Sequence, residues 1–233
     1  PCTQMKDHEV LPMIPIRRGE GVWLEDFDGN RYLDAISSWW VNLFGHANPR
    51  INAALRDQLE RLEHVILAGF THEPAVALAE RLSALAPPGL TRAFYADNGS
   101  SAIEVALKMS YHYWRNCGQG EKTRFVALSN GYHGETLGAL AVGDVPLFKE
   151  TYAPLLMGVI TAPSPDCYHR EPGETWEAYS RRRFADLDRI LASRAPEVAA
   201  VIVEPLVQCA GGMRMYHPVY LTLLRQACDR HGV

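Results

Sequence analysis

The feature that most constrains the fold is an alternation of short apolar runs with helical segments in the second half of the chain. Four runs have the length of buried strands: residues 93–96, 125–128, 158–161 and 199–203. Helical patterns over residues 101–115 and 176–195 lie between them. Strands separated by helical crossovers form a mostly parallel sheet with helices on both faces. The sequence therefore predicts an α/β fold, in which ligands bind beyond the carboxyl ends of the strands.

The first part of the chain has a different pattern. Residues 22–27 and 31–34 flank Asp28-Gly29-Asn30, and Asp-Gly is a strong signal for a tight hairpin turn. Residues 1–20 are punctuated by proline and are expected to be irregular.

Further helices are expected from Pro49 onward, with Asn48 as the cap, and over residues 74–85 and 218–230. Val233 resembles the first residue of another strand, so the chain is expected to end inside a domain. We predict an N-terminal segment over residues 1–46 and an incomplete α/β domain over residues 47–233.

Composition argues against several classes of partner. The net charge of −4 and the lack of Lys/Arg-rich runs disfavour nucleic acid. No apolar run reaches membrane-spanning length and no signal peptide is visible, so no membrane partner is expected. The five cysteines form no C-x-x-C pair, which indicates reduced thiols in a cytoplasmic protein. Cys167 and His169 alone do not make a metal site, and none is predicted.

The segment after the first apolar run can bind a phosphate. Gly99, Ser100 and Ser101 stand at a predicted helix start, where unpaired N–H groups and the helix dipole attract an anion. An equally good alternative is that Ser100 or Ser101 is only an N-cap. The sequence has neither G-x-G-x-x-G nor a P-loop motif, which disfavours a nucleotide-binding domain.

The second and fourth runs are also followed by candidate site residues. Tyr132 and His133 lie between two glycines and suit stacking on a flat heterocycle, although a polar turn explains them equally well. Glu204 ends a predicted buried strand, where it should face a ligand, a water or a cationic partner, and a structural ion pair is an equally good alternative. For Trp39 and Trp40, the residues alone favour core packing over a pocket.

The order of these segments resembles that of class III, fold-type I aminotransferases. The matching segments are residues 23–34, 45–49, 98–108, 131–136 and 203–205, and the resemblance covers essentially the whole chain. It implies the fold-type I architecture, with residues 47–233 in the large domain and residues 1–46 in the small one. It also implies pyridoxal 5'-phosphate as cofactor and a homodimer.

Three further segments narrow the resemblance within this family. Residues 37–40, 71–74 and 208–218 are similar to those of members that act in biotin biosynthesis. Those members transfer an amino group from S-adenosylmethionine to 8-amino-7-oxononanoate. The alternatives are a class III aminotransferase for an ω-amino acid or a diamine, and a catalytically inactive scaffold of the same fold.

The resemblance also implies roles for individual residues. Cofactor-binding roles fall on Gly99, Ser100, Tyr132 and Glu204, and substrate-binding roles on Trp39, Trp40, Tyr132 and Cys2. Cys2 stands where the family often has a tyrosine, and a thiol does not reproduce the hydrogen bond of a phenol.

No catalytic residue is predicted within the chain. Its lysines are Lys6, Lys108, Lys122 and Lys149, and none matches the Schiff-base lysine of the family. That lysine and the pyridinium-binding aspartate are expected beyond Val233.

Overall fold

The computed structural model describes residues 5–233, which form two compact units, residues 5–94 and Tyr95–Val233. The boundary between the units lies later than the predicted domain boundary at residue 46. The assignment of residues 47–94 to the large domain stays a prediction.

The first unit contains a three-stranded antiparallel sheet and short helices. Its elements are β1 (Ile16–Glu20), β2 (Trp23–Asp26), β3 (Arg31–Leu33), α1 (Ser37–Trp40), α2 (Pro49–Leu59) and α3 (Glu73–Leu85), after a 3-10 helix at Met5–Glu9. The predicted hairpin is confirmed, because Trp23 pairs with Leu33 across the turn. Asn48 caps α2 as predicted: its side chain accepts the N–H groups of Arg50 and Ile51.

Strand β1 lies in the segment that was expected to be irregular, and that prediction was wrong. Its residues show no apolar alternation, so the periodicity gave no signal. The strand forms because β2 offers a free edge, on which Glu20 pairs with Trp23. An exposed ion pair of 2.7 Å between Arg18 and Glu25 joins the two strands.

The second unit has the alternating α/β order. Its helices are α4 (Gly99–Asn116), α5 (Leu137–Val142), α6 (Pro146–Lys149), α7 (Trp176–Arg194) and α8 (Val219–His231), and its strands are β4 (Arg124–Leu128), β5 (Ile160–Ala162), β6 (Val198–Ile202), β7 (Val207–Gln208) and β8 (Arg214–Met215). Short 3-10 segments lie at Glu150–Leu155, Cys167–His169 and Ala195–Glu197. The strand order β5-β4-β6, with both pairings parallel, confirms the predicted α/β sheet.

Residues 93–96 do not form the predicted strand. An apolar run becomes a strand only where another backbone satisfies its N–H and C=O groups. Both edges of β4 are taken by β5 and β6, and residues 93–96 pair with neither of them. At the other end, Gly232 stops α8 in a left-handed conformation, as predicted. The strand that Val233 was expected to begin stays a prediction.

The sheet is covered on both faces because side chains of β4 alternate between two cores. Val126 and Leu128 pack in a cluster with α7 and α8, which contribute Leu187 and Tyr220 among others. Phe125, with Ala127, packs in a second cluster with α4 and α5. This arrangement leaves the carboxyl ends of the three parallel strands at one edge of the sheet, where the candidate site residues begin.

No helix within residues 5–233 has the combination of length and apolar composition that crossing a membrane requires.

Candidate functional site

The amino terminus of α4 presents unpaired N–H groups. Asn98 is the N-cap, and its side chain accepts the N–H of Ser101 at 2.9 Å. Within the described residues, the backbone N–H groups of Gly99 and Ser100 have no acceptor. A hydrogen bond from the Ser101 hydroxyl helps to lower the pKa of Asp97. The alternative that a serine caps this helix is therefore wrong.

The space in front of Gly99 is open. A Cβ atom added to this residue would meet no other atom within 4 Å. The helix has 18 residues, so its dipole is well developed. Two free donors, the positive end of a helix and open space together are suited to binding an anion.

The loop that follows β4 packs closely against this helix start. The Ser100 hydroxyl accepts the N–H of Glu135 at 3.3 Å. Gly134 has a φ of +127°, and a Cβ atom there would overlap the Ser100 hydroxyl. Glycine is therefore required at this position both by the backbone conformation and by the close approach.

Tyr132 is half-buried and held at three points. Its backbone N–H donates to Glu204 Oε1 at 2.8 Å, and its hydroxyl donates to Glu135 Oε1 at 3.1 Å. Its ring packs edge-to-face on Phe148, with the ring centroids 5.5 Å apart. These contacts fix the orientation of the aromatic ring, which is what a stacking surface needs.

Glu204 holds backbone groups rather than a cation. Its second oxygen accepts the N–H of Cys209 at 2.9 Å, and its own carbonyl accepts the Tyr216 hydroxyl at 2.5 Å. Burial raises the pKa of the Glu204 carboxyl, and the N–H groups of Tyr132 and Cys209 partly oppose that rise. Glu204 has no ion-pair partner within residues 5–233, which disfavours the alternative of a structural ion pair.

A buried amide links the ends of three strands. Gln208 is 1% exposed; it accepts the Ser164 hydroxyl at 2.6 Å and donates to the Ser129 carbonyl at 2.8 Å. The Ser129 hydroxyl in turn accepts the N–H of Ser164 at 2.8 Å. Sequence reasoning missed both serines, although each follows closely on the end of a strand, the position to which the carboxyl-end rule points.

His133 lies beside this network with its Nε2 atom buried and without a hydrogen-bond partner among the described residues. Burial lowers the pKa of His133 to about 4, so its ring is neutral at pH 7. A buried polar atom without a partner is costly and rare in a folded protein.

This burial predicts an acid-sensitive fold. Unfolded His133 takes up a proton below about pH 6.5, whereas folded His133 does so only near pH 4. The unfolded state therefore binds more protons between these values, and the free energy of unfolding should fall by up to about 3 kcal/mol as the pH drops from 6.5 to 4. Urea unfolding at a series of pH values measures this slope.

Two histidine variants make the measurement specific. His133→Asn should flatten the pH slope over that range, and His112→Asn, at an exposed position on α4, should leave it as in the unchanged protein. Equal slopes in both variants would contradict the prediction.

Trp39 and Trp40 lie in the first unit, on a left-handed turn. All four residues of α1 have positive φ, from 47° at Ser38 to 69° at the tryptophans. The Asp34 carboxylate holds this turn through the N–H and hydroxyl of Ser38, and it also contacts His46 Nε2 at 2.7 Å. Trp39 is 50% exposed and Trp40 46% exposed, so the expectation that both pack in the core was wrong.

The structure thus brings together four of the predicted site residues. Ser100, Tyr132 and Glu204 are connected through direct hydrogen bonds and Glu135, and Gly99 lies beside Ser100. The substrate-binding roles of Trp39 and Trp40 stay predictions, and Cys2 lies outside the described residues. Residues 5–233 contain no group of three His, Cys, Asp or Glu side chains suited to a metal ion.

Comparison with known proteins gives a family for this arrangement. The family model described as aminotransferase class III matches residues 4–233. The chain belongs to the class III aminotransferases. This confirms the resemblance inferred from the sequence, and the fold-type I architecture with it.

Relatives within the class III aminotransferases are similar over the whole chain. An adenosylmethionine-8-amino-7-oxononanoate aminotransferase from Geobacter sulfurreducens is 46% identical, over 100% of this chain and 52% of the relative. The crystal structure of an enzyme of that name from Methanocaldococcus jannaschii has a TM-score of 0.89 at 36% identity, over 100% of this chain and 50% of the other. The chain spans about half the length of the curated relatives that it matches.

A second similar structure is that of an omega transaminase. The omega transaminase from Pseudomonas jessenii, solved in complex with PMP, has a TM-score of 0.90 at 28% identity, over 100% of this chain and 52% of the other. Class III aminotransferases depend on pyridoxal 5'-phosphate. The residues of this chain fit that cofactor, because the helix start at Gly99 and Ser100, with its free N–H groups, lies next to the loop that holds the Tyr132 ring.

Proposed function

We propose that this chain forms the phosphate-binding and ring-facing part of a pyridoxal 5'-phosphate-dependent aminotransferase site. The observation that carries the proposal is the pair of free N–H groups at Gly99 and Ser100, on a helix start that contacts the Tyr132 loop. These two N–H groups would hold the phosphate, which the helix dipole also stabilises. The Tyr132 ring would lie against the pyridine ring of the cofactor.

Pyridoxal 5'-phosphate, when bound, supplies the electron sink and the carbonyl carbon that an amino-group transfer needs. The residues of this chain would bind the cofactor and orient it. Glu204 keeps the backbone at Tyr132 in place through a 2.8 Å hydrogen bond, so its role is electrostatic and positional. The neutral His133 ring adds no charge beside the site at pH 7.

For the substrates, we propose amino transfer from S-adenosylmethionine to 8-amino-7-oxononanoate, as part of biotin biosynthesis. Support comes from the 46% identity to a relative named for that reaction. Trp39, Trp40, Tyr132 and Cys2 would contact the substrates. A cytoplasmic homodimer is part of the same proposal, and it follows from the family resemblance.

A second candidate is transfer from an ω-amino acid or a diamine. It is supported by the TM-score of 0.90 to an omega transaminase, which is as high as the TM-score of 0.89 to the Methanocaldococcus jannaschii enzyme. The identity of 28%, against 46%, places it second.

Donor competition should decide between the two candidates. The complete protein, loaded with cofactor and given 8-amino-7-oxononanoate, should form 7,8-diaminononanoate with S-adenosylmethionine and not with β-alanine or putrescine. Mass spectrometry of the product measures this directly. Turnover with β-alanine or putrescine alone would favour the second candidate, and cofactor binding without turnover from any donor would favour an inactive scaffold.

A further inference from the structure

Helix α4 makes a second contact with the segment that follows Tyr132, one turn beyond Ser100. The Glu104 side chain is half-buried, and its Oε1 accepts the N–H of Gly138 at 2.7 Å and that of Ala139 at 3.3 Å. These donors belong to the first turn of α5, whose own N-cap residue, Thr136, makes no side-chain capping bond. A carboxylate from α4 therefore caps α5 in its place.

Two glycines make this close approach possible. A Cβ atom at Gly134 would overlap Ser100, and one at Gly138 would overlap the Glu104 carboxylate. Residues four apart on a helix share one face, so Ser100 and Glu104 project from the same side of α4. The side chains of Ser100 and Glu104 thus pack against Gly134 and Gly138, and the spacing is four residues in both pairs.

This contact joins the two halves of the proposed cofactor site. The start of α4 carries the free N–H groups, and the segment just before Gly134 carries Tyr132. The Ser100 contact alone is one hydrogen bond of 3.3 Å to Glu135, and Glu104 adds two more bonds a turn away. Two separated points of attachment prevent the segment from pivoting on the helix.

We propose that Glu104 and Gly138 are positioning residues, which fix the distance between the phosphate-binding N–H groups and the Tyr132 ring. The proposal rests on the proposed function, since it assigns the two halves to one ligand. A ligand that carries phosphate and aromatic ring in one molecule gains affinity only when both subsites lie at the matching distance. Either half of the ligand alone does not depend on that distance.

Isothermal titration of the complete, cofactor-free protein with three probes tests the proposal. The probes are inorganic phosphate, pyridoxine, and pyridoxine 5'-phosphate, which joins the two. Glu104→Ala should reduce the affinity for pyridoxine 5'-phosphate roughly tenfold. It should change the affinity for inorganic phosphate or for pyridoxine less than about twofold, because only the linked ligand depends on the distance between the two subsites. Glu104→Gln retains the Oε1 acceptor and should bind all three probes as the unchanged protein does.

Gly138 allows an independent test of the same contact. Gly138→Ala would displace the Glu104 carboxylate, so it should reproduce the Glu104→Ala result. The double variant should be no weaker than either single variant, because the same contact is lost once. Lys108→Ala, at an exposed position on the same helix, should change nothing.

Three results would overturn the positioning role. They are unchanged affinity for the linked probe in Glu104→Ala, equal weakening of all three probes, and additive losses in the double variant. If the unchanged protein bound no pyridoxine 5'-phosphate, the proposed function itself would fall.

Discussion

Replacing Gly99 with aspartate should reduce the affinity for pyridoxal 5'-phosphate at least about a hundredfold without destabilising the cofactor-free protein. The new carboxylate would occupy the open space in front of the helix and repel the phosphate. An acidic side chain in the first turn of a helix interacts favourably with the dipole, by about 0.3–1 kcal/mol. Opposite effects on binding and on stability are expected from one substitution.

Gly99→Ala is the matched control. An added methyl group meets no atom within 4 Å, so the fold should be unchanged and the loss of affinity smaller than for aspartate. Fluorescence titration gives the affinity, and thermal unfolding without cofactor gives the stability. If the aspartate variant bound pyridoxal 5'-phosphate as tightly as the alanine variant, the phosphate could not be assigned to this helix start.

Replacing Lys122 with methionine should lower the free energy of unfolding by about 3 kcal/mol, since it removes a buried cation that satisfies several carbonyl groups. Lys122 is 4% exposed, and its ammonium donates to the carbonyls of Ala195, Val198 and Gly232 at 2.8–3.2 Å. It also lies 4.3 Å from the centroid of the Trp114 ring. Burial lowers the pKa of Lys122.

Chemical unfolding of the complete protein measures this loss, with Lys108→Met as the control. Lys108 is exposed on α4, so its replacement should change stability by less than about 0.5 kcal/mol. Equal stability of the two variants would show that the carbonyl groups around Lys122 find other partners. The expected result would assign Lys122 a structural role, in agreement with its failure to match the cofactor lysine of the family.

Much of the fold was predictable where the local signal and the tertiary structure agree. The hairpin at Asp28-Gly29-Asn30 and the parallel order of β4, β5 and β6 follow from turn chemistry and apolar runs. Strand β1 and residues 93–96 were mispredicted in opposite directions. In both cases the outcome depends on whether a neighbouring strand edge is free, and a single sequence does not contain that information.

The candidate site was predictable only in part. Gly99, Ser100 and Tyr132 could be proposed from the sequence because helix starts and aromatic residues at strand ends carry a known chemistry, and their cofactor-binding roles stay predictions. Asn98, rather than a serine, proved to be the cap, and Glu204 proved to bind N–H groups rather than a cation. The contacts of Glu104 and Gln208 were not predictable, since each joins segments at least 34 residues apart in the chain.

The amide of Gln208 has a consequence for how this protein can diverge. It fastens the ends of β4 and β5 through Ser129 and Ser164, so the backbone that leads to Tyr132 has little freedom to shift alone. Mutational drift in that region would disturb several strand ends simultaneously and be removed by selection. In the proposed site, substrate preference would therefore change more readily through Trp39 and Trp40, whose turn is held by the Asp34 carboxylate and by its own backbone hydrogen bonds.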